Sequence, residues 1–472
     1  MLFYEPLFLF LFFPVVLAAY LAVRHRAGAR GGVLLVASLF FYLWSEPLFV
    51  PVVLASCMAD YALGRMVARA GRAAGAALAV GVLINIGILA YYKYTGFAVD
   101  NLDVLLVGAG LAPWHVGQVA LPIGVSFVVF EKITYLVDIR RGRSHPAPGF
   151  ATYLLYVFLF PKLLAGPIIK YHELEGQLRA FGRDRGADLV EGFRRFMLGV
   201  VKKTILADTL ATGADMTFAA DPAQLGSADA WWGVLFFTLQ IYIDFSAYSD
   251  MAIGLARMFG FRLNENFNRP YLSGSITEFW RRWHISLSTW IRDYLYIPLG
   301  GNRVAPWRRY VNLWLCFLAS GLWHGAAWTY VAWGAYNGVF LVLERLFLLR
   351  WLDRMPVVVA NAVAFTVTMV GWTLFRATSL HQAGIILSAM THPGLAGVAA
   401  GMWRTPPMLA AAAAGLLMSF LPRVPGFDRL GQAVIDRPAG RMAIDLMMSM
   451  LFVFALAKAL ADPFKPFLYF RF

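Results

Sequence analysis

The chain has 472 residues, of which 60% are hydrophobic and only 14% charged, and its formal net charge is +14. A soluble nucleic-acid-binding protein is excluded, because the basic residues stand in short loops between apolar runs, where membrane topology and lipid headgroups account for them. The expectation is an all-α polytopic membrane protein forming one integral domain over 1–472, with 42 Gly and 23 Pro suited to broken and re-entrant helices.

Met1 to Tyr20 is apolar almost from its start, with neither a basic leader nor a small-residue cleavage site, and reads as a retained first span. The path was traced with about 20 apolar residues per crossing and the Lys/Arg excess inside. Leu2 to Val23 leads to Arg24, Arg26 and Arg30. Val33 to Trp44 returns outward to Ser45-Glu46-Pro47, and the next span ends at Arg65, Arg69 and Arg72. Ala76 to Tyr92 is expected to reach an outer loop holding Asp100 and Asp103, and Val119 to Val137 descends to Arg140, Arg141 and Arg143. Phe150 to Ile169 is apolar between basic flanks and is interrupted by Pro161, Gly166 and Pro167, which predicts a re-entrant segment. Beyond Lys202 and Lys203 a span leads to Asp215, Asp221 and Asp229, and Trp231 to Ala256 comes back to Arg257, Arg262 and Arg269.

From Trp280 to Leu299 aromatic and charged residues alternate, too polar for lipid, and one partly buried helix is expected. Val311 to Trp323 and Tyr330 to Leu343 form a pair that turns at Trp323-His324-Gly325. Val357 to Phe375 goes outward, Gln382 to Met390 lies at the interface, Met408 to Leu421 descends, and Met442 to Leu460 leaves both termini outside. The sum is about 11 to 12 crossings with one or two re-entrant pieces.

Cys57 and Cys316 lie singly in apolar runs and read as inert buried thiols. His284 and His324 each follow a tryptophan. An ionisable side chain at membrane depth is costly and therefore a functional candidate. The plainer alternative is a neutral imidazole bonded to backbone, holding helices together. The repeated Trp-His pair favours proton transfer with a hydroxyl, which is a poor nucleophile until deprotonated, and imidazole titrates nearest working pH. Two histidines outside any HExxH or CxxC pattern do not fill a zinc site, so no metal is expected, and no GxSxG is present for a serine hydrolase. Gln240, Asp244 and Tyr248 share one helix face by their spacing. That face serves either helix contact or the orientation of a histidine. Phe279, Trp280, Trp283, Trp290, Tyr294 and Tyr296 either wall a cavity or pack at the interface.

The segment Glu278 to Trp290 (EFWRRWHISLSTW), with Asp293 to Gly301 (DYLYIPLGG) and Gly321-Leu322-Trp323-His324-Gly325, resembles the signature of the membrane-bound O-acyltransferase (MBOAT) superfamily. Within it, the bacterial branch containing the alginate O-acetyltransferase membrane subunit is similar also at Tyr242 to Gly254, at Phe160-Pro161-Lys162 and at Ala165 to Ile168. The resemblance implies an MBOAT-like ring of helices around a central cavity, with a cytoplasmic entrance for an acyl donor and an outer funnel for the acceptor. It puts the catalytic histidine at His324 and a second polar position at His284; Asp244, Tyr248, Trp280, Trp283 and Trp323 are the candidates to line the cavity or orient the two histidines. It implies thioester chemistry without metal or other cofactor, acetyl-CoA being the donor substrate, its phosphates meeting Arg281 and Arg282.

The tail Phe467 to Phe472 (FLYFRF) resembles the C-terminal FxYFxF motif of the small partner protein in the related D-alanyl transfer system, which makes Tyr469 a candidate acyl relay. The alternative is an aromatic anchor at the membrane edge, residues 463–472 lying on the periplasmic side. The function implied is O-acetylation of an alginate-like exopolysaccharide from the bacterial inner membrane, with membrane lipids, a periplasmic esterase-fold partner and the polysaccharide secretion machinery as partners. A peptidoglycan or other envelope acceptor is an alternative. A transporter or flippase is another, although internal repeats of the broken segments are lacking.

Overall fold

The computed structural model describes residues 1–69, 71–114, 117, 119–180, 186–222, 225–392, 404–462 and 465–468. Among the described residues the regular elements are helices. Six are long and apolar enough to cross a membrane: Ala27–Ser45, Val50–Val67, Arg72–Gly108, Trp328–Leu352, Val357–Arg376 and Pro438–Ala461. Pro406–Arg423 and Phe427–Asp436, meeting at 99°, add a bent candidate. The chain is a multi-pass membrane protein. It divides into two compact units, Met1–Phe193 with Ala252–Asn264, and Arg194–Met251 with Glu265–Phe472.

In the first unit, Arg72–Gly108 runs through a π turn at Ala90–Tyr94, so Asp100 and Asp103 are helical rather than in an outer loop. The stop comes later because nothing before Gly110 breaks the helix. There φ reaches +78°, Leu111 N–H returns to the Leu106 carbonyl, and Pro113 bars continuation. The following helix starts at Val125, not Val119, since Pro122 and Gly124, at φ +79°, hold the approach out of helical geometry. The Phe150 to Ile169 stretch is broken at Leu159 into Phe150–Phe158 and Phe160–Leu163. Two fully buried lysines of this unit are paired with carboxylates, as burial favours. Lys132 Nζ is 3.1 Å from Asp60, which also accepts from Asn85, and Lys162 pairs with Glu131.

In the second unit the Trp280 to Leu299 stretch is not one helix. Ile276–Arg282 and Ile285–Ile291 are separated at His284, whose φ is +43°, and a π turn follows at Arg292–Tyr296. The first piece is capped by Ser275, and the Glu344 carboxylate accepts the N–H groups of Ile276 and Thr277 at 2.6 and 2.8 Å. Pro306–His324 and Trp328–Leu343 then form a tight hairpin. A Cβ on Gly321 would strike the Tyr330 carbonyl, and one on Gly334 the Phe317 carbonyl, so only glycine permits this approach.

Candidate active site

The hairpin sets His324 at the C-terminal end of its first helix, nearly fully buried. Trp323, Trp333 and Phe375 surround the ring at centroid distances of 5.0, 5.1 and 5.3 Å, all edge-on. His284 is fully buried, and its ring lies 6.4 Å from that of His324 and 6.0 Å from Trp323. Phe245 closes the other side of His284 at 4.7 Å. Folding thus brings together two imidazoles separated by 40 positions in the sequence, within an aromatic enclosure that excludes bulk water.

The enclosure continues through further aromatic rings. Trp283 meets Trp372 at 4.9 Å, Trp372 stacks on Trp333 at 5.8 Å, and Trp280 approaches Trp333 at 5.6 Å while its indole N–H donates to Asn337 at 3.2 Å. Trp290 instead stacks on Tyr294, and the Tyr296 hydroxyl donates to Asn302 at 2.7 Å. The predicted aromatic stretch therefore contributes Trp280 and Trp283 to the wall, while the Tyr296 hydroxyl also accepts from Arg345 at 3.4 Å.

Asp244 and Tyr248 face the C-terminal segment. One Asp244 oxygen is 2.9 Å from Lys203 Nζ, which also contacts Asp208 at 2.9 Å, and the other accepts the Leu468 N–H at 2.9 Å. Phe467 stacks on Tyr248 at 4.7 Å and packs on Phe245 at 5.9 Å. Phe467 and Leu468 are fully buried, which is not how a surface anchor sits. Tyr469 lies outside the described residues. Arg281 is exposed, and Arg282 pairs with Glu278 at 2.7 Å.

Sequence reasoning missed Asn266. Its side-chain oxygen accepts from Ser286 N–H at 3.2 Å and Ser286 Oγ at 2.9 Å, and lies 3.2 Å from His284 Nδ1. It stands in a polar loop run, Asn264-Glu265-Asn266, where periodicity carries no signal. Lys203 was also read only as a loop charge. The available clue was Asp244 within the apolar run Trp231 to Ala256, since a carboxylate inside a span demands a cation.

Residues 121–381, which include both histidines, match the model of the MBOAT, membrane-bound O-acyltransferase family. The chain belongs to this family. It is 39% identical to the probable alginate O-acetylase of Pseudomonas putida over the full length of both chains, and 44% identical to that of Pseudomonas aeruginosa over 83% of this chain and 75% of the relative. The peptidoglycan O-acetyltransferase of Helicobacter pylori is 34% identical over 84% and 81%. The protein is therefore an O-acyltransferase, and the transporter alternative falls away.

Proposed function

We propose that the chain moves acetyl groups from cytoplasmic acetyl-CoA across the bacterial inner membrane to an alginate-like exopolysaccharide, its termini in the periplasm. The observation that carries this reading is the pair of buried imidazoles 6.4 Å apart in a chain 39% identical, end to end, to a probable alginate O-acetylase. His324 serves as the base. The Tyr469 hydroxyl attacks the thioester carbonyl carbon, a C–O bond forms, the C–S bond breaks, and the phenolic proton passes by way of His324 to the departing thiolate. A periplasmic esterase-fold partner, linked to the secretion machinery, then takes the acetyl group, and the tyrosyl oxygen regains a proton. The burial of Phe467 and Leu468 next to Phe245, itself in ring contact with His284, supports a tail that reaches the reacting centre. Arg281 and Arg282 hold the donor's phosphates. No metal takes part.

Intact and peptide mass analysis after incubation with isotopically labelled acetyl-CoA tests the scheme. A labelled acetyl on Tyr469, lost in both His324→Ala and Tyr469→Phe, is expected. Thioester consumption with no label on the chain would replace the relay by direct transfer. No consumption by a folded protein supplied with an acceptor partner would refute the donor. A peptidoglycan acceptor is the second reading, supported by the 34% identical Helicobacter pylori relative, and acetyl found on supplied peptidoglycan rather than on alginate would select it.

A further inference from the structure

We propose that Asn266 is a positioning residue that holds His284 in the tautomer with its proton on Nδ1, so that Nε2 is a hydrogen-bond acceptor in the ring next to the base His324; the catalytic use of that atom rests on the acyl-transfer reading above. The argument starts from the Ser286 backbone N–H, which can only donate. It lies 3.2 Å from the Asn266 side chain, so the amide oxygen faces Ser286, and the amide nitrogen faces Ser249 Oγ at 3.4 Å. That same oxygen is 3.2 Å from His284 Nδ1. Two groups that accept there would repel, so Nδ1 carries the proton, and a neutral imidazole has only one. Ser286 Oγ, 2.9 Å from the oxygen and 3.5 Å from Nδ1, donates to the oxygen, so toward Nδ1 it can act only as an acceptor, in keeping with a proton there.

Asn266 also fixes the backbone that carries the ring. Its main-chain carbonyl accepts the Ile285 N–H at 3.0 Å, so the two N–H groups that follow His284 both end on this one asparagine. His284 is one of two described non-glycine residues with positive φ, and such a conformation persists only where its surroundings determine it. Phe245, Trp323 and His324 are among the rings packed on His284, and of these three His324 is the titratable one. A His284 ring in the opposite tautomer would present an N–H at Nε2 and could not accept a hydrogen bond there from the hydroxyl that His324 deprotonates.

The tautomer is read directly by solid-state nitrogen NMR of histidine-labelled protein in lipid at about pH 8, where imidazole is neutral, with His284→Gln to assign the signal. The expected wild-type spectrum has a protonated Nδ1 and a bare Nε2 at His284, and Asn266→Leu gives a mixture of the two forms. A protonated Nε2 in the wild type, or an unchanged tautomer in a folded Asn266→Leu protein, overturns the proposal. Turnover supplies the second arm. Asn266→Leu is expected to lower kcat by about 100-fold, the scale on which a misplaced active-site group slows turnover, with KM for the thioester within about two-fold. Asn266→Asp keeps the accepting oxygen and adds charge that favours the imidazolium, so it should retain most activity with the acid limb of its pH profile moved upward. A wild-type profile in Asn266→Asp overturns the link to His284 even where Asn266→Leu fails to fold. The NMR arm needs no turnover, so an inactive wild type refutes the donor reading alone.

Discussion

At the scale of single residues, the buried charges decide more than the histidines do. Lys203 and Asp244 are both almost fully buried, 2.9 Å apart, and Asp208 is the ammonium's second partner. Removing one member of such a pair strands the other where hydration is lost, at a cost of about 3 to 5 kcal/mol, whereas removing both is often close to neutral. Lys203→Met is therefore expected to lower the thermal midpoint of the purified protein sharply, and Lys203→Met combined with Asp244→Leu to recover much of the loss. Thermal unfolding of the two singles and the double completes the cycle. Simple additivity of the two losses would show that the ion pair does not exist in the membrane. The same carboxylate accepts the Leu468 N–H, so the pair also fixes the backbone one residue before Tyr469.

At the scale of elements, apolar length located several spans, while the described residues hold six helices, or seven candidates with the bent pair, long and apolar enough to cross, against the 11 to 12 crossings expected. Ala27–Ser45, Val357–Arg376 and Pro438–Ala461 lie where the hydrophobic runs put them, because lipid allows few alternatives to a helix. The division at His284 was invisible, since no proline or glycine marks it. It exists because Asn266 accepts the N–H groups that a continuous helix would have bonded internally. The proximity of the two Trp-His pairs was legible only as a repetition, and the distance between their rings required the hairpin to close. Gly321 governs that closure. Any side chain there meets the Tyr330 carbonyl across the hairpin, three residues before His324. Overpacking of this kind costs about 1 to 3 kcal/mol and displaces backbone, and a displacement near 1 Å can lower turnover about 100-fold. Gly321→Leu is expected to yield a folded protein with acetyl transfer reduced at least ten-fold by that same positional argument. Gly87→Leu is the control, because nothing lies within 4 Å of a Cβ built there. Equal activity in the two variants would show that the hairpin does not position His324.

At the scale of the whole molecule, the +14 charge is topological, and one helix offers a clean check of it. Val125–Arg140 has 16 residues, which span about 24 Å at 1.5 Å per residue, short of the roughly 30 Å of hydrocarbon. The described non-helical residues 119–122, ahead of the turn at Ile123-Gly124, can supply the remainder, at about 3.3 Å each when extended. The segment can therefore cross, carrying the chain from Ala112 to the basic run at Arg140, Arg141 and Arg143. The positive-inside bias puts that run in the cytoplasm and Ala112 outside. The native thiols should be silent in a labelling experiment, because Cys57 and Cys316 are 0% and 3% exposed. Ala112 and Arg143 are both exposed. Ala112→Cys is expected to react with a membrane-impermeant maleimide in cells with a permeabilised outer membrane, and Arg143→Cys only once the inner membrane is opened. The opposite pattern would invert the protein and put its termini in the cytoplasm. Reaction of both from the same side would mean that Val125–Arg140 does not cross, and the charge asymmetry of the chain would then need another cause.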